Sequence, residues 1–303
     1  MNLFVQGMRR SGTTILYDAL LADRELRCFY EPLREQDVTE GGGSGAREGD
    51  AFAETRALRE RFQRERYPHV PIDEFNWGGP RSQDLELERE LPEHCRELLR
   101  WLLGFAPAVA IKETRLYRKV AEAFTLDPGA ALVHVVRDPR SVAASIILGR
   151  KKGRLRRWSS QSDIFAERTD RKLWSSRALS RLLPAPDGRS VEGLSDVEHI
   201  LRVWKVTFES TYDDGRRLFG DRYLLLRNED LRAGTEAAMD SLYQMLGRDP
   251  PEAVREWARA NVREPEEVLA GDDPRWAELC ERHGLGEAIA AAGYGELAAT
   301  LSA

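Results

Sequence analysis

An apolar opening, Leu3-Phe4-Val5, runs into Gly7-Met8-Arg9-Arg10-Ser11-Gly12-Thr13-Thr14 and then into the helical pattern ILYDALLADREL at residues 15–26. A strand followed at once by a glycine turn and a helix leaves the chain few folds, because the turn must deliver the backbone from a strand end straight into a helix N-terminus. The unpaired N–H groups of the turn and of the first helical turn then point at one spot, with the helix dipole behind them. Such a spot binds an anion. Gly7, four residues and Gly12 match the spacing of a P-loop, yet Thr13 stands where a nucleotide triphosphatase carries lysine. That lysine reaches the β- and γ-phosphates, and the sequence offers Thr14 no acidic magnesium partner, so triphosphate hydrolysis is poorly served. The cation sits earlier, at Arg10 with Arg9 beside it. A guanidinium there grips a tetrahedral oxyanion such as phosphate or a sulfuryl group with two parallel donors.

Further apolar β-rich runs alternate with helical patterns along the 303 residues. This alternation predicts one α/β domain over 1–303, a P-loop-containing three-layer fold with a central parallel sheet flanked by helices, plus helical additions. Ligands of such folds sit beyond the carboxyl ends of the strands. Residues 40–50, EGGGSGAREGD, read as a flexible loop. Residues 150–195 read as a variable, acceptor-binding insertion that opens on the basic cluster Arg150, Lys151, Lys152, Arg154, Arg156 and Arg157.

The run Arg9-Arg10-Ser11-Gly12-Thr13-Thr14 resembles the loop of the sulfotransferases that use 3′-phosphoadenosine 5′-phosphosulfate (PAPS), closest in motif to bacterial members of the carbohydrate and tyrosyl-protein type. The resemblance implies that Arg9, Arg10, Ser11, Gly12, Thr13 and Thr14 hold the donor's 5′-phosphosulfate, with Arg10 on the family's catalytic cation. A second segment, ALVHVVRDPRSVAASIIL at 131–148, passes from a strand pattern through Arg137-Asp138-Pro139-Arg140 into a helix, and Ser145 follows Arg137 by eight residues. Proline suits the first helical turn, where a missing N–H costs nothing. In the family the matching arginine and serine bind the 3′-phosphate.

Glu31, in Tyr30-Glu31-Pro32-Leu33, lies 21 residues after Arg10, enough for one helix and a return over the loop. A carboxylate there can take the acceptor hydroxyl's proton, and the resemblance assigns it that role as general base. Lys112, ending the strand-like VAIK, resembles the lysine placed near the donor's bridging oxygen, where a fixed cation favours the transition state over the ground state. YLLLRNEDL at 223–231 resembles a further strand-end motif and adds Arg227 and Asn228 to the donor site; Asn228 replaces the tyrosine of many members. His134 falls within an apolar strand and reads as a buried, hydrogen-bonded side chain, and Trp204 reads as core.

These readings imply PAPS as donor, 3′-phosphoadenosine 5′-phosphate (PAP) as product, no metal, and a small-molecule or glycan hydroxyl as acceptor, in the manner of natural-product biosynthesis. A net charge of −5 speaks against nucleic-acid binding. A strand at the very start, no apolar run of bilayer length and three scattered cysteines, Cys28, Cys95 and Cys280, imply a cytoplasmic protein without membrane attachment, as monomer or homodimer. Only six of the 46 basic residues are lysine, a composition that fits a bacterium of high GC content. The rival readings are an atypical P-loop kinase using ATP and magnesium, and a non-catalytic nucleotide-binding protein.

Overall fold

The computed structural model describes residues 1–34, 46–75, 86–148, 164–165, 174–186, 190–263, 273–295 and 297. Five strands form one parallel sheet: β1 (Leu3–Gln6), β2 (Arg27–Tyr30), β3 (Val109–Glu113), β4 (Ala131–Val136) and β5 (Tyr223–Arg227), in the order β2-β3-β1-β4-β5. Helices cover both faces, which is why β1, β3 and β4 are buried along their whole length rather than alternately. The α/β three-layer expectation is met.

Alternation of side chains within β1 divides the core. Leu3 and Val5 face α1 (Thr13–Leu20) and the later helices that carry Met239 and Val254. Phe4 faces the opposite layer with Phe62 of α2 (Ala46–Arg66), Leu98 and Leu99 of α3 (Glu93–Leu103) and Ala123 of α4 (Val120–Leu126). A third cluster joins α5 (Pro139–Leu148) to α7 (Asp196–Phe219) through Val142, Ile146, Ile200 and Trp204, with α6 (Trp174–Ser180) alongside. A capping box between Ser195 and Glu198 starts the 24-residue α7. Trp204 is core, as read from sequence.

Register fixes the position of the site. Gln6 lies beside Glu113 on one side and His134 on the other, and Tyr30 lies beside Lys112. The residues that follow β1, β2, β3 and β4 therefore emerge along one edge. The chain leaves β1 to fill one side of the sheet with β2 and β3 and the other with β4 and β5, so the switch in direction falls at the P-loop.

Of the loop expected over 40–50, Ala46–Asp50 belong to α2, where alanine, arginine and glutamate favour helix. Residues 40–45 lie outside the described residues, as do Arg150, Lys151, Lys152, Arg154, Arg156 and Arg157 of the basic cluster and most of the expected insertion. Within 150–195, α6 and a short 3-10 turn at Val191–Gly193 are described.

Candidate active site

The turn after β1 is closed by a hydrogen bond from the Ser11 N–H to the Met8 carbonyl at 3.0 Å. Two glycines make it possible. A Cβ on Gly7 would strike the Val135 carbonyl of β4, and Gly12, the N-cap of α1, has φ +96° with the Asn228 amide packed where its Cβ would lie. Arg10 also takes a left-handed backbone, φ 78°, without being glycine. Strain of this kind persists only where surrounding contacts enforce it. The Ser11 hydroxyl is buried and has no hydrogen-bond partner among the described residues, and a phosphate oxygen could accept its proton. Thr14 reaches the Tyr30 hydroxyl at 3.2 Å.

Two residues more than a hundred positions further on meet Arg10 at this loop. Arg10 Nε donates to Ser145 Oγ at 2.8 Å, and Arg137 Nη1 donates to the Arg10 carbonyl at 3.4 Å. Trp204 Nε1 donates to the Arg137 carbonyl at 2.9 Å and so ties the strand end to α7. The half-buried Arg9 guanidinium is pushed down to about 10, first by its removal from water and then by Arg115 and Arg10. Arg9, Arg10 and Arg115 thus influence one another beside the cradle, with Glu86 and Glu31 opposing them.

The Glu31 turn is the second strained point, with φ 43° at Glu31 itself. It is clamped from two elements. The Glu31 N–H donates to the Lys112 carbonyl at 2.8 Å and the Leu33 N–H to Glu113 Oε1 at 3.0 Å, both on β3. From α2, buried Arg59 donates to the carbonyls of Pro32 at 3.2 Å and Arg34 at 2.5 Å. The Glu31 carboxylate forms an ion pair with Lys112, which is 1% exposed, and Arg34 Nε stands 3.7 Å from its other oxygen. Lys112 Nζ lies 4.0 Å from the centre of the Tyr30 ring. Burial would raise the Glu31 pKa, but Lys112, Arg34 and Arg115 outweigh it and hold the carboxyl below its ordinary range. Glu31 is ionised at neutral pH, with Lys112 on one oxygen and Arg34 near the other. Neighbouring Glu113 is pushed up to about 8, by burial first and then by the Glu31 charge.

The structure therefore gathers Arg9, Arg10, Ser11, Gly12, Thr13, Thr14, Arg137 and Ser145 around one loop and pairs Glu31 with Lys112 on the same edge of the sheet. Asn228 is buried against Gly12. Arg227 is not brought to the loop: its guanidinium binds Asp230 at 2.7 Å and the Gly293 carbonyl at 2.5 Å, beneath the Tyr294 ring. His134 is buried against Tyr223, at 2.9 Å, and falls to about 3 through desolvation, so it is no base. Sequence reasoning missed Glu113, Arg59 and the clamping role of Trp204. All three act through folding partners distant in sequence, although Glu113 adjoined a residue already singled out.

The sequence profile described as the sulfotransferase family matches residues 2–192. No curated protein sequence matches the chain. Among solved structures it is similar to sulfotransferase STF9 from Mycobacterium avium, at 15% identity over 95% of this chain and 75% of that one, with a TM-score of 0.50. Sulfotransferase STF1 from Mycobacterium tuberculosis H37Rv aligns at 13% identity over 93% of this chain and 76% of that one, also with a TM-score of 0.50. At these identities the two structures speak for the fold. The profile covers the P-loop, the Glu31 turn, Lys112 and the Arg137–Ser145 segment.

Proposed function

This chain belongs to the sulfotransferase family, and from that premise we propose that it moves a sulfuryl group from PAPS to a hydroxyl of a carbohydrate or a hydroxylated or glycosylated natural product. The observation that carries the reading is the linkage of Arg10 to Ser145 and Arg137, which joins the cradle for a 5′-phosphate to the pair suited to a 3′-phosphate. An adenosine bearing both phosphates spans such a pair of anchors; ATP has no 3′-phosphate to use the second. The kinase reading is not favoured, since Thr13 replaces the lysine that a triphosphate requires.

PAPS supplies the activated sulfuryl group. Backbone N–H groups of Ser11 to Thr14 and the orphan Ser11 hydroxyl hold its 5′-phosphate. Arg137 and Ser145 hold its 3′-phosphate, and Asn228 flanks the loop. Glu31 takes the acceptor hydroxyl's proton as the new oxygen–sulfur bond forms. The old sulfur–oxygen bond breaks with its electrons left on the phosphate, where Lys112 and Arg10 neutralise the charge. Fixed cations and N–H donors carry that charge, so transfer proceeds without a metal in this reading, in the cytoplasm.

Calorimetry tests the donor. PAP binds in the absence of metal and more tightly than ATP with magnesium, and Arg137→Ala lowers PAP affinity by about tenfold to a hundredfold, the weight of a charge-assisted hydrogen-bond pair. Preference for magnesium ATP, or PAP affinity indifferent to Arg137→Ala, overturns the assignment.

A further inference from the structure

Lys112 of β3 has Val5 of β1 and Tyr30 of β2 as register partners, so the three side chains leave the sheet on one face, toward α1. Tyr30 is buried and fixed from several sides. Its ring meets Tyr17 of α1 edge-on, with centroids 5.1 Å apart, and its N–H donates to Thr55 Oγ1 of α2 at 3.3 Å. Three residues before Tyr17, in the first turn of the same helix, Thr14 brings Oγ1 to 3.2 Å from the Tyr30 hydroxyl. The face of the ring carries the Lys112 ammonium, 4.0 Å from its centre. One side chain thus touches the phosphate loop with its hydroxyl and the buried cation with its ring.

Packing alone asks for neither contact. A phenylalanine would fill the space beside Tyr17, and a buried hydroxyl costs stability unless it finds a partner. When Tyr30 donates to Thr14, the threonine keeps its own proton for a further acceptor, and a phosphate oxygen at the helix N-terminus is one. Lys112 has two supports of different kinds, the Glu31 carboxylate and the Tyr30 face. As Glu31 takes up the acceptor's proton, its hold on the ammonium weakens just when negative charge grows on the leaving phosphate. The ring stays neutral throughout and holds the cation without cancelling its charge.

Resting on the sulfotransferase reading above, we propose that Tyr30 is a positioning residue with two roles: its hydroxyl orients Thr14 toward the donor's 5′-phosphate, and its ring keeps Lys112 in place for the departing phosphate. No atom is transferred at Tyr30. It acts through Thr14 on donor binding and through Lys112 on transfer, so the two roles separate by measurement.

Two mutant cycles on the full chain test this. Calorimetry with PAP, without metal, reads the hydroxyl: Tyr30→Phe is expected to weaken PAP about threefold to tenfold, the weight of one hydrogen bond, and to add nothing once Thr14→Val has removed its partner. Transfer to an alcohol found by screening reads the ring. Pentafluorophenylalanine in place of Tyr30 keeps the ring of Tyr30→Phe but strips electron density from its face. Relative to Tyr30→Phe, kcat is expected to fall about threefold to thirtyfold at unchanged PAP affinity, and the gap to close in Lys112→Met. Losses that persist in Thr14→Val or in Lys112→Met are those of a merely structural residue and overturn the proposal, as does a loss below about twofold in either cycle. PAP binding by wild type keeps this apart from the donor reading: its absence sinks that reading and the proposal with it, whereas PAP binding without the two couplings sinks the proposal alone.

Discussion

Glu31→Gln is expected to lower sulfuryl transfer about a thousandfold while leaving PAP affinity within twofold of wild type. General-base catalysis typically contributes about a hundredfold to ten-thousandfold. The middle of that range applies here because glutamine keeps the shape and an acceptor oxygen but removes the carboxylate that takes the proton. The φ of 43° at Glu31 is held by Lys112, Glu113 and Arg59 through backbone atoms, none of which the substitution touches, so the turn survives. Donor affinity survives because Arg10, Arg137 and Ser145 remain. Initial rates of PAP release with an acceptor found by screening alcohols, beside calorimetry with PAP, give the two numbers. A loss under tenfold would move the base elsewhere, and parallel loss of PAP binding would make Glu31 part of the donor site. A non-catalytic nucleotide-binding protein shows no transfer in wild type at all.

The same carboxylate sets a pH signature. Its depressed pKa places the acid limb of kcat/KM below the ordinary carboxylate range, so wild-type activity does not fall between pH 7 and pH 5 on account of this group.

How much of this could be read before folding depends on the distance over which each contact acts. The turn between β1 and α1 was legible because glycine spacing, a preceding strand and a following helix are local properties. Pro139 at the first residue of α5 was legible for the same reason. That Arg10 would meet Ser145 and Arg137 followed only from motif resemblance; the physical cause is that β4 lies directly beside β1. The Glu31–Lys112 ion pair spans 81 residues and exists because Tyr30 and Lys112 are register partners across β2 and β3, which no local pattern encodes. Motif resemblance alone assigns Arg227 to the donor site; which partners its guanidinium meets, Asp230 three residues on and the Gly293 carbonyl, is a property of the packed chain.

Lys112→Met is the second large effect, and its pH dependence separates the roles of the lysine. Methionine keeps the length of the buried stem but removes the cation from both Glu31 and the departing phosphate. Loss of a preorganised charge at the leaving group lowers transfer by about a hundredfold to a thousandfold. The stability effect has a definite sign. In the wild type the folded Glu31 pKa lies below its ordinary value of 4.5, so the group's stabilisation is complete above that value and is lost as pH falls through the folded pKa. Without Lys112, burial is expected to outweigh Arg34 and Arg115 and to raise the folded pKa above 4.5; stability then declines as pH rises past 4.5, because a carboxylate without its closest partner must be held in the interior. Removing one partner of a buried pair costs about 3–5 kcal/mol, so the Tm difference between wild type and Lys112→Met is small near pH 4 and several degrees or more near pH 7. The acid limb of the residual activity moves upward in pH by the same shift. Adding Glu31→Gln to Lys112→Met restores much of the Tm at neutral pH, since no charge is then left unpaired. A Tm difference independent of pH, or an acid limb that stays in place, would mean that Lys112 acts on the donor alone and that Arg34 and Arg115 suffice to keep Glu31 ionised.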